Sequence, residues 1–256
     1  MFFSRVRIEP YSIAKTKLFH ILKSDVYAMH QLIWKLFPDS LNVKRDFLFR
    51  QEFEKEQLAF SATRRGLPLF YVVSKRPAMP VEGLLSVETK QYTPKINSGM
   101  RLGFDVRVNP VLQEKVDRSN IEDWIRSRKK RGLSDKNPTK LRRYHDVMMD
   151  AKKKAKKQGI TDRSTIESQM RKALLTWLSD NGKKRGFQLT DQSSVEVSGY
   201  RQEYLKKRGS RSIRFSSVDL SGILVVTEPE LFQTLLFSGI GHSRSFGCGM
   251  MMVRRI

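Results

Sequence analysis

The sequence predicts an α+β protein built from two tandem ferredoxin-like (RRM-like) domains, with a basic helical insertion in the second. Three observations support this prediction. Segments in the second half follow the order strand, helix, strand, strand, helix, strand, and the first ninety residues or so approximate it. A chain of 256 residues is also long enough for a sizeable packed core. We therefore predict one domain over residues 1–94 and a second over residues 95–256.

In the first half, alternating residues over Phe3–Ile8 indicate a half-buried strand. An amphipathic helix is predicted from Asp25 to Phe37, with Ser24 as its cap and Pro38 as its end. Further strands are expected over residues 47–51, 67–73 and 84–92. A short irregular stretch replaces the second helix of the fold.

The second half opens with a strongly alternating strand, Met100–Val108, which Asn109 and Pro110 end. A core helix is predicted over residues 164–180, and Gly182 is expected to end it. Residues 186–197, 198–204 and 212–226 look extended. A last helix is predicted from Pro229 to Phe237, with proline at its first position.

Residues 111–160 differ in character from the rest of the second half. Between Arg126 and Lys157 there are fourteen Lys or Arg residues and three acidic residues. Two interpretations remain open. The segment is either a solvated helical insertion or an additional RNA-contacting surface.

The overall charge favours a nucleic-acid partner. The chain carries 49 Lys and Arg residues against 26 acidic residues, a net charge of +23. So large a charge repels itself in a compact protein, which an anionic partner relieves. A single cysteine, Cys248, excludes an internal disulfide or a cysteine-based zinc cluster and fits a reducing cytoplasm. No apolar run approaches the about 18 residues of a membrane span, so a cytoplasmic protein without membrane contact is expected.

A glycine-rich loop near the C-terminus is predicted to contact a phosphate backbone. It holds four glycines in eleven residues: Gly239, Gly241, Gly247 and Gly249. Glycines let the backbone turn tightly and expose N–H groups to an anion. His242 and Arg244 lie in the same loop, and an apolar strand from Met250 to Val253 is expected to anchor it.

Several ordered blocks resemble the CRISPR RNA endoribonuclease family CasE, the RNA-processing subunit of type I-E Cascade. The blocks are VYAMHQLIWKLFP, RDFLFR, LGFDVRVNP and VDLSGILVV with LFQTLLFSGIGHSRSFGCGMMMV. The resemblance covers roughly residues 1–109 and 164–256, so the basic insertion departs from it. It implies binding of the CRISPR repeat stem-loop in precursor transcripts and cleavage at the 3′ base of the stem. It also implies retention of the mature guide RNA with other Cascade subunits, and contact with target DNA only through that complex.

RNA cleavage of this kind needs no metal, because the ribose 2′-OH is an internal nucleophile. Its attack on the adjacent phosphorus gives a 2′,3′-cyclic phosphate and a 5′-OH, and proximity assists the step. The protein must supply a base, an acid and a cation, and histidine suits proton transfer near neutral pH. The sequence contains no HExxH motif and no Cys/His cluster with ligand spacing, so neither a metal nor a cofactor is expected.

Four histidines are candidates for the proton transfer: His20, His30, His145 and His242. By spacing alone, His30 and Tyr27 on one side of a helix are more often packing residues. The resemblance instead implies that both are catalytic, because CasE proteins place a tyrosine and a histidine in this block at this spacing. Lys35 is the candidate cation, or simply a solvated lysine. His242 is the rival histidine, and the other two are interpreted as surface residues.

A predicted hairpin tip adds four basic residues: Lys206, Lys207, Arg208 and Arg211. The resemblance implies that they grip the RNA stem, and the alternative is an exposed turn. A catalytically silent RNA-binding scaffold of the same fold is the rival function. A general basic RNA-binding protein is a third, and it predicts no preference for a hairpin.

Overall fold

The computed structural model describes residues 1–9, 26–38, 45–53, 68–115, 119, 121–130, 142–205 and 213–256. They form two compact units, residues 1–109 with 178–256, and residues 110–177. His20 and the predicted hairpin tip, residues 206–211, lie outside the described residues. No described helix is both long enough and apolar enough to cross a lipid bilayer.

The described elements are numbered in chain order. The strands are β1 (Phe2–Ile8), β2 (Phe47–Phe53), β3 (Pro68–Ser74), β4 (Leu85–Gln91), β5 (Arg101–Val108), β6 (Val111–Lys115), β7 (Arg142–Asp146), β8 (Phe187–Leu189), β9 (Glu196–Leu205), β10 (Ile213–Val226) and β11 (Met251–Arg255). The helices are α1 (Val26–Trp34), α2 (Ile121–Lys130), α3 (Val147–Lys157), α4 (Arg163–Lys183) and α5 (Pro229–Ser238).

The first sheet is antiparallel with the order β2-β3-β1-β4. With one helix between β1 and β2, this is the ferredoxin-like arrangement predicted from the sequence. The apolar stripe of α1 packs on the sheet through Met29, Leu32 and Ile33, which share a buried cluster with Val6 and Phe70. Residues 75–84 form turns where the fold elsewhere has its second helix, as the sequence analysis expected.

Helix α1 tightens before it ends. The backbone N–H groups of Lys35, Leu36 and Phe37 donate to carbonyls three residues earlier, at 3.2, 3.1 and 3.0 Å. Such bonds are typical of a final 3₁₀ turn, and Pro38 cannot continue the ladder. The α-helix therefore ends at Trp34, three residues before the predicted end at Phe37.

The second sheet has the order β11-β5-β10-β8, and β9 also pairs with β10. With α4 and α5, it repeats the ferredoxin-like order, so the predicted fold class is confirmed. The second strand of the repeat is divided into β8 and β9, which pair with different parts of β10. Both sheets belong to the same compact unit, and the domain boundary at residues 94 and 95 stays a prediction.

The sequence analysis expected Gly182 to end its helix. This prediction is wrong, because α4 runs on to Lys183. A Cβ atom at Gly182 would lie 2.7 Å from the carbonyl oxygen of Phe187 and 2.9 Å from its ring. The glycine is therefore needed for close packing against β8 rather than as a cap. The turn comes four residues later at Gly186, whose φ is +75°.

The unit of residues 110–177 contains the basic insertion. Helices α2 and α3 agree with the helical prediction, but β6 and β7 also form an antiparallel pair that the sequence analysis missed. Asp146 caps α3 by accepting a 2.7 Å hydrogen bond from the backbone N–H of Met149. Val147, Met148 and Ala155 are the buried residues of α3, and its lysines lie mainly outside.

Candidate active site

His30 lies on α1, half-buried among four aromatic rings. Its ring centroid is 6.1 Å from that of Trp34, 6.3 Å from Phe47 and 6.4 Å from Phe49. The fourth ring, Phe246, is also 6.1 Å away and belongs to a 3₁₀ turn in the C-terminal glycine loop. The histidine therefore sits where the first sheet and its helix meet the glycine loop of the second.

The two ring nitrogens of His30 have different surroundings. The indole Nε1–H of Trp34 donates a 2.9 Å hydrogen bond to Nε2, while Nδ1 is buried without a hydrogen-bond partner among the described residues. An acceptor at Nε2 means a neutral imidazole with its proton on Nδ1. The Nε2 lone pair is thus the one that can accept a proton.

The pKa of His30 is lowered from its ordinary value. Burial of the ring is the larger cause, and the positive charge of Arg45 is the second. Both disfavour the imidazolium form. At neutral pH the ring is therefore held neutral, which is the form that a general base requires.

Arg45 lies beside this histidine, Arg244 lies near both Arg45 and Arg185, and we call these three residues the arginine cluster. The pKa values of Arg45 and Arg185 are both lowered, first by burial and then by the charge of Arg244. Nη1 of Arg45 is buried and makes no hydrogen bond to the described part of the chain. The other two arginines donate to backbone carbonyls, Arg244 to Ser238 at 2.7 Å and Arg185 to Gly239 at 3.4 Å.

No described carboxylate neutralises the arginine cluster, and this separates it from Arg50 and Arg107. Arg50 pairs with Glu52 and, at 2.8 Å, with Asp105. Arg107 pairs with Asp219 at 2.8 Å and 3.1 Å. Such paired arginines hold the structure together, whereas like charges gathered without an acid favour an anionic ligand.

The glycine loop, residues 239–249, turns tightly and is hydrogen-bonded to β5. The N–H of Gly249 donates to the carbonyl of Arg107 at 2.6 Å, and the N–H of Ile240 donates to the carbonyl of Gly249 at 2.9 Å. Gly249 has a φ of +87°, and a Cβ there would meet the Ile240 oxygen at 2.5 Å. These two N–H groups are used inside the protein, and the exposed Arg244 gives the loop a positive charge.

The remaining residues of the loop have distinct positions. Gly239, Gly241 and Gly247 also have positive φ angles, between 76° and 79°. His242 is exposed, its N–H lies 3.4 Å from the carbonyl of Asn109, and its pKa is lowered by partial desolvation and by Arg244. The rival histidine therefore shares the charge of Arg244 with the cluster.

The other two predicted catalytic residues, Tyr27 and Lys35, lie on α1 and just after its end. Tyr27 lies on α1 one turn before His30, and its side chain is outside the described atoms. Lys35 is exposed and follows the end of the helix. Five residues along a helix correspond to a rotation of roughly 140°, so Lys35 faces a different side from His30. The roles of both residues stay predictions.

Arg45, like Arg185, is a residue of the cluster that sequence analysis missed. It opens the RDFLFR block that contributed to the family resemblance, so a signal was present. No helical or strand spacing links it to His30, because the two residues are fifteen positions apart in the chain. Only the packing of β2, which follows Arg45 directly, beside α1 brings the guanidinium close to the imidazole.

Comparisons with known proteins agree with this fold. The family model of CRISPR-associated proteins matches residues 1–255. The CRISPR system Cascade subunit CasE of Escherichia coli (strain K12) is 23% identical over 230 residues, which cover 89% of this chain and 90% of that protein.

Two solved structures share the whole fold. The crystal structure of Cas6e from Escherichia coli K-12 is 21% identical with a TM-score of 0.59, covering 100% of both chains. The structure of Thermus thermophilus Cse3 bound to an RNA representing a pre-cleavage complex is 18% identical with a TM-score of 0.61, covering 99% of this chain and 98% of that one.

Proposed function

The chain belongs to the family of CRISPR-associated proteins, of the CasE type, and we propose that it is an endoribonuclease that processes CRISPR RNA. It binds the stem-loop of the repeat in the precursor, cleaves at the 3′ base of the stem and retains the mature guide RNA within a Cascade complex. Support comes from the related Cse3, which is described as an endoribonuclease bound to a 19 nt RNA, and from CasE, a Cascade subunit.

The observation that carries the proposal is the neutral imidazole of His30 beside the unneutralised charges of Arg45 and Arg244. A phosphodiester placed between the two guanidinium groups relieves their repulsion and forms charge-assisted hydrogen bonds. In that position the phosphate lies beside His30, whose ring packs against both the first sheet and the glycine loop.

We assign the base to Nε2 of His30. It accepts the proton of the ribose 2′-OH as the 2′-oxygen attacks phosphorus, so the bond from phosphorus to O2′ forms while the bond to O5′ breaks. The products are a 2′,3′-cyclic phosphate and a 5′-OH. General base catalysis of this kind contributes about 10²–10⁴-fold, and the arginines stabilise the charge that develops on the phosphoryl oxygens.

Tyr27 and Lys35 complete the proposal. Tyr27, one turn before His30, orients the phosphate or shares in the transfer of the proton that reaches the leaving 5′-oxygen, and Lys35 adds positive charge. The glycine-loop residues His242 and Arg244 contact the RNA backbone, and the basic residues 206–211 grip the stem. None of these roles calls on a metal ion.

The experiment that tests the proposal compares wild-type protein with His30→Ala on repeat hairpin RNA in the presence of EDTA. We expect wild-type cleavage with EDTA present, and loss of cleavage with retained binding in the variant. His242→Ala is the matched control, and it is expected to cut. If wild-type protein binds the hairpin but leaves it intact with or without Mg²⁺, the chain is a silent scaffold.

A further inference from the structure

His30 lacks the second hydrogen bond that commonly orients a histidine in an active site. Such a ring is often held by its Nδ1–H group, which donates to a carboxylate or a backbone carbonyl. Here Nδ1 is buried without a hydrogen-bond partner among the described residues, and Nε2 is the atom that must meet the substrate. When the substrate hydroxyl replaces the indole of Trp34 at Nε2, the orientation of the ring depends on the packing around it.

Phe246 supplies the part of this packing that comes from the glycine loop. Its ring centroid lies 6.1 Å from that of His30, at an interplanar angle of 64°. Aromatic rings prefer such an edge-to-face arrangement, so the contact favours one orientation of the imidazole over others. The 3₁₀ turn that carries Phe246 also carries Arg244. One turn therefore provides both a wall of the histidine site and a charge of the arginine cluster.

The glycine loop lies against β2 at this point. Gly247 follows Phe246 with a φ of +79°, and a Cβ there would lie 3.4 Å from the ring of Phe49. The backbone of the loop therefore passes directly over Phe49, whose ring also stacks on His30 at 6.4 Å. Because the loop and the histidine pack on the same ring, a shift of the loop displaces Phe246 relative to His30.

Phe215 of β10 packs behind Phe246. The two half-buried rings lie nearly parallel, with centroids 5.4 Å apart and an interplanar angle of 18°. Phe215 belongs to the first part of β10, residues 213–217, which pairs with β9 alone among the described strands, whereas residues 218–225 also pair with β5. We call this first part and the facing end of β9 the β9–β10 ribbon. Phe215 joins the ribbon to the glycine loop.

We propose that Phe246 and Phe215 are positioning residues for the reaction. Phe246 holds the imidazole of His30 in the orientation in which Nε2 faces the substrate, and Phe215 holds Phe246. The ring contacts form a continuous path from the β9–β10 ribbon to the base, so displacement of the ribbon removes a wall of the histidine site. A displacement of about 1 Å can cost about 10²-fold in rate. The proposal deepens the function proposed above and rests on its choice of His30 as the base.

The test separates cleavage from binding. Single-turnover cleavage of the repeat hairpin is measured with saturating protein, and affinity is measured with a hairpin that carries a 2′-deoxy sugar just upstream of the cut. We expect Phe246→Leu and Phe215→Leu each to slow cleavage about tenfold and to change affinity less than about threefold, because leucine stays apolar but lacks the ring. Phe246→Tyr and Phe215→Tyr keep the ring and are expected to restore cleavage.

The double variant shows whether the two phenylalanines act through one contact. If Phe215 acts through Phe246, the variant that combines Phe246→Leu with Phe215→Leu should lose about the tenfold that Phe246→Leu loses alone. Independent effects would multiply to about a hundredfold.

Phe3→Leu is the matched control. Phe3 is also half-buried and packs against two rings, Tyr71 at 5.8 Å and Tyr92 at 5.5 Å. It alternates along β1 with Val6, which packs under α1, so it lies on the opposite face of the first sheet from His30. We expect Phe3→Leu to lower the melting temperature as the other leucine variants do, and to leave cleavage within about twofold of wild type.

The resonances of His30 report its position without RNA. In the free protein we expect Phe246→Leu and Phe215→Leu to shift the Hδ2 and Hε1 signals of His30, because the shift of a proton depends on the rings around it, and Phe3→Leu to leave them in place. This measurement is independent of cleavage. A wild-type protein that fails to cut would therefore overturn the proposed function and leave the packing of the histidine to be decided by NMR.

Three results overturn the positioning role. They are an equal slowing of cleavage in Phe3→Leu, losses that multiply in the double variant, and His30 signals that do not move in Phe215→Leu. A loss of affinity as large as the loss of rate would also contradict it, because it would make the two rings part of RNA binding instead.

Discussion

Trp34 donates its indole N–H to Nε2 of His30 across one turn of α1, at 2.9 Å. The bond selects the imidazole tautomer with the proton on Nδ1 and holds the ring between Phe49 and Phe246. For the histidine to act as a base, the substrate hydroxyl must take the place of the indole at the Nε2 lone pair. Trp34 is therefore a positioning residue of the free protein.

Replacement of Trp34 by phenylalanine tests this role. Trp34→Phe keeps an aromatic ring against Phe47 but removes the indole N–H donor. The hydrogen bond from that donor favours the neutral imidazole, so its loss favours the protonated ring. We expect the pKa of His30 to rise and cleavage to slow by about tenfold, with binding of the hairpin unchanged. An NMR titration of the ring protons measures the pKa. A pKa that stays fixed in the variant would show that the bond does not act in solution.

Arg45 is expected to contribute both to phosphate binding and to the state of His30. Removal of one group that stabilises developing charge typically costs about 10²–10³-fold in rate, so we expect a loss of that size in Arg45→Met. The pKa of His30 should rise in the same variant, because the repelling charge has gone. Single-turnover cleavage and an NMR titration measure the two effects.

The control for Arg45 is Lys75→Gln, which removes one exposed positive charge from the same domain. We expect cleavage within twofold of wild type and an unchanged pKa of His30. Equal losses in the two variants would mean that only the total charge matters, and Arg45 would then have no specific role at the phosphate.

The lowered pKa of His30 has a predictable sign in pH dependence. The folded state disfavours the charged ring relative to the unfolded chain, whose histidine titrates near pH 6.5. The stability that the neutral ring contributes is therefore present above about pH 6.5 and is lost as the pH falls toward the lower folded value. Equilibrium unfolding in urea between pH 5 and pH 8 measures this loss, and His30→Asn is expected to reduce it.

Cleavage should follow the same titration. We expect the single-turnover rate to rise with pH below about pH 6.5 and to level off at neutral pH, because the base must be neutral. In Arg45→Met the rising limb should move to higher pH. A rate that falls as the pH rises through this range would assign a different protonation state to the essential group.

Gly249 is expected to hold the glycine loop in shape. At a φ of +87°, alanine is strained, and its Cβ would lie 2.5 Å from the Ile240 oxygen and 3.0 Å from Cγ of Arg244. We expect Gly249→Ala to destabilise the protein by more than about 1 kcal/mol and to weaken RNA binding by displacing Arg244. Thermal unfolding and hairpin affinity measure the two effects.

Gly99 provides the matched control for Gly249. Its φ is +78°, and a Cβ there would meet nothing within 4 Å. Gly99→Ala therefore carries the backbone strain without the contacts, and it should lower the melting temperature less and leave hairpin affinity unchanged. If the two variants behave alike, crowding at Gly249 is not what maintains the loop.

Much of the fold could be predicted because local patterns and global topology agree. The alternation in Met100–Val108 and the apolar stripe of α1 each correspond to a single buried face, and the order of the segments gave both sheets. Gly182 was misjudged because a glycine at a helix end reads as a cap, although here a ring and a carbonyl from β8 demand its small size. The requirement for glycine comes from tertiary packing, so the neighbouring sequence does not indicate it.

Only part of the candidate site could be predicted, because some of its residues carry a signal in the sequence and others do not. His30 stood out because the resemblance identified its block, and the four loop glycines stood out by their density. Arg45 and Arg185 did not stand out, because the chain has 49 Lys and Arg residues. What distinguishes these two is that no described carboxylate neutralises them, and this is visible only in the structure. The β6–β7 pair was hidden by charge, since Glu114, Lys115 and Arg142 read as solvated residues.

The most direct test of the central claim uses a repeat hairpin with a single 2′-deoxy sugar just upstream of the mapped cut. With EDTA present, we expect the protein to bind this RNA with the affinity of the all-ribose hairpin and to leave it uncut. The all-ribose hairpin should yield a 2′,3′-cyclic phosphate end. Cleavage of the deoxy substrate at the normal rate would contradict attack by the 2′-hydroxyl, and with it the role of His30 as the base.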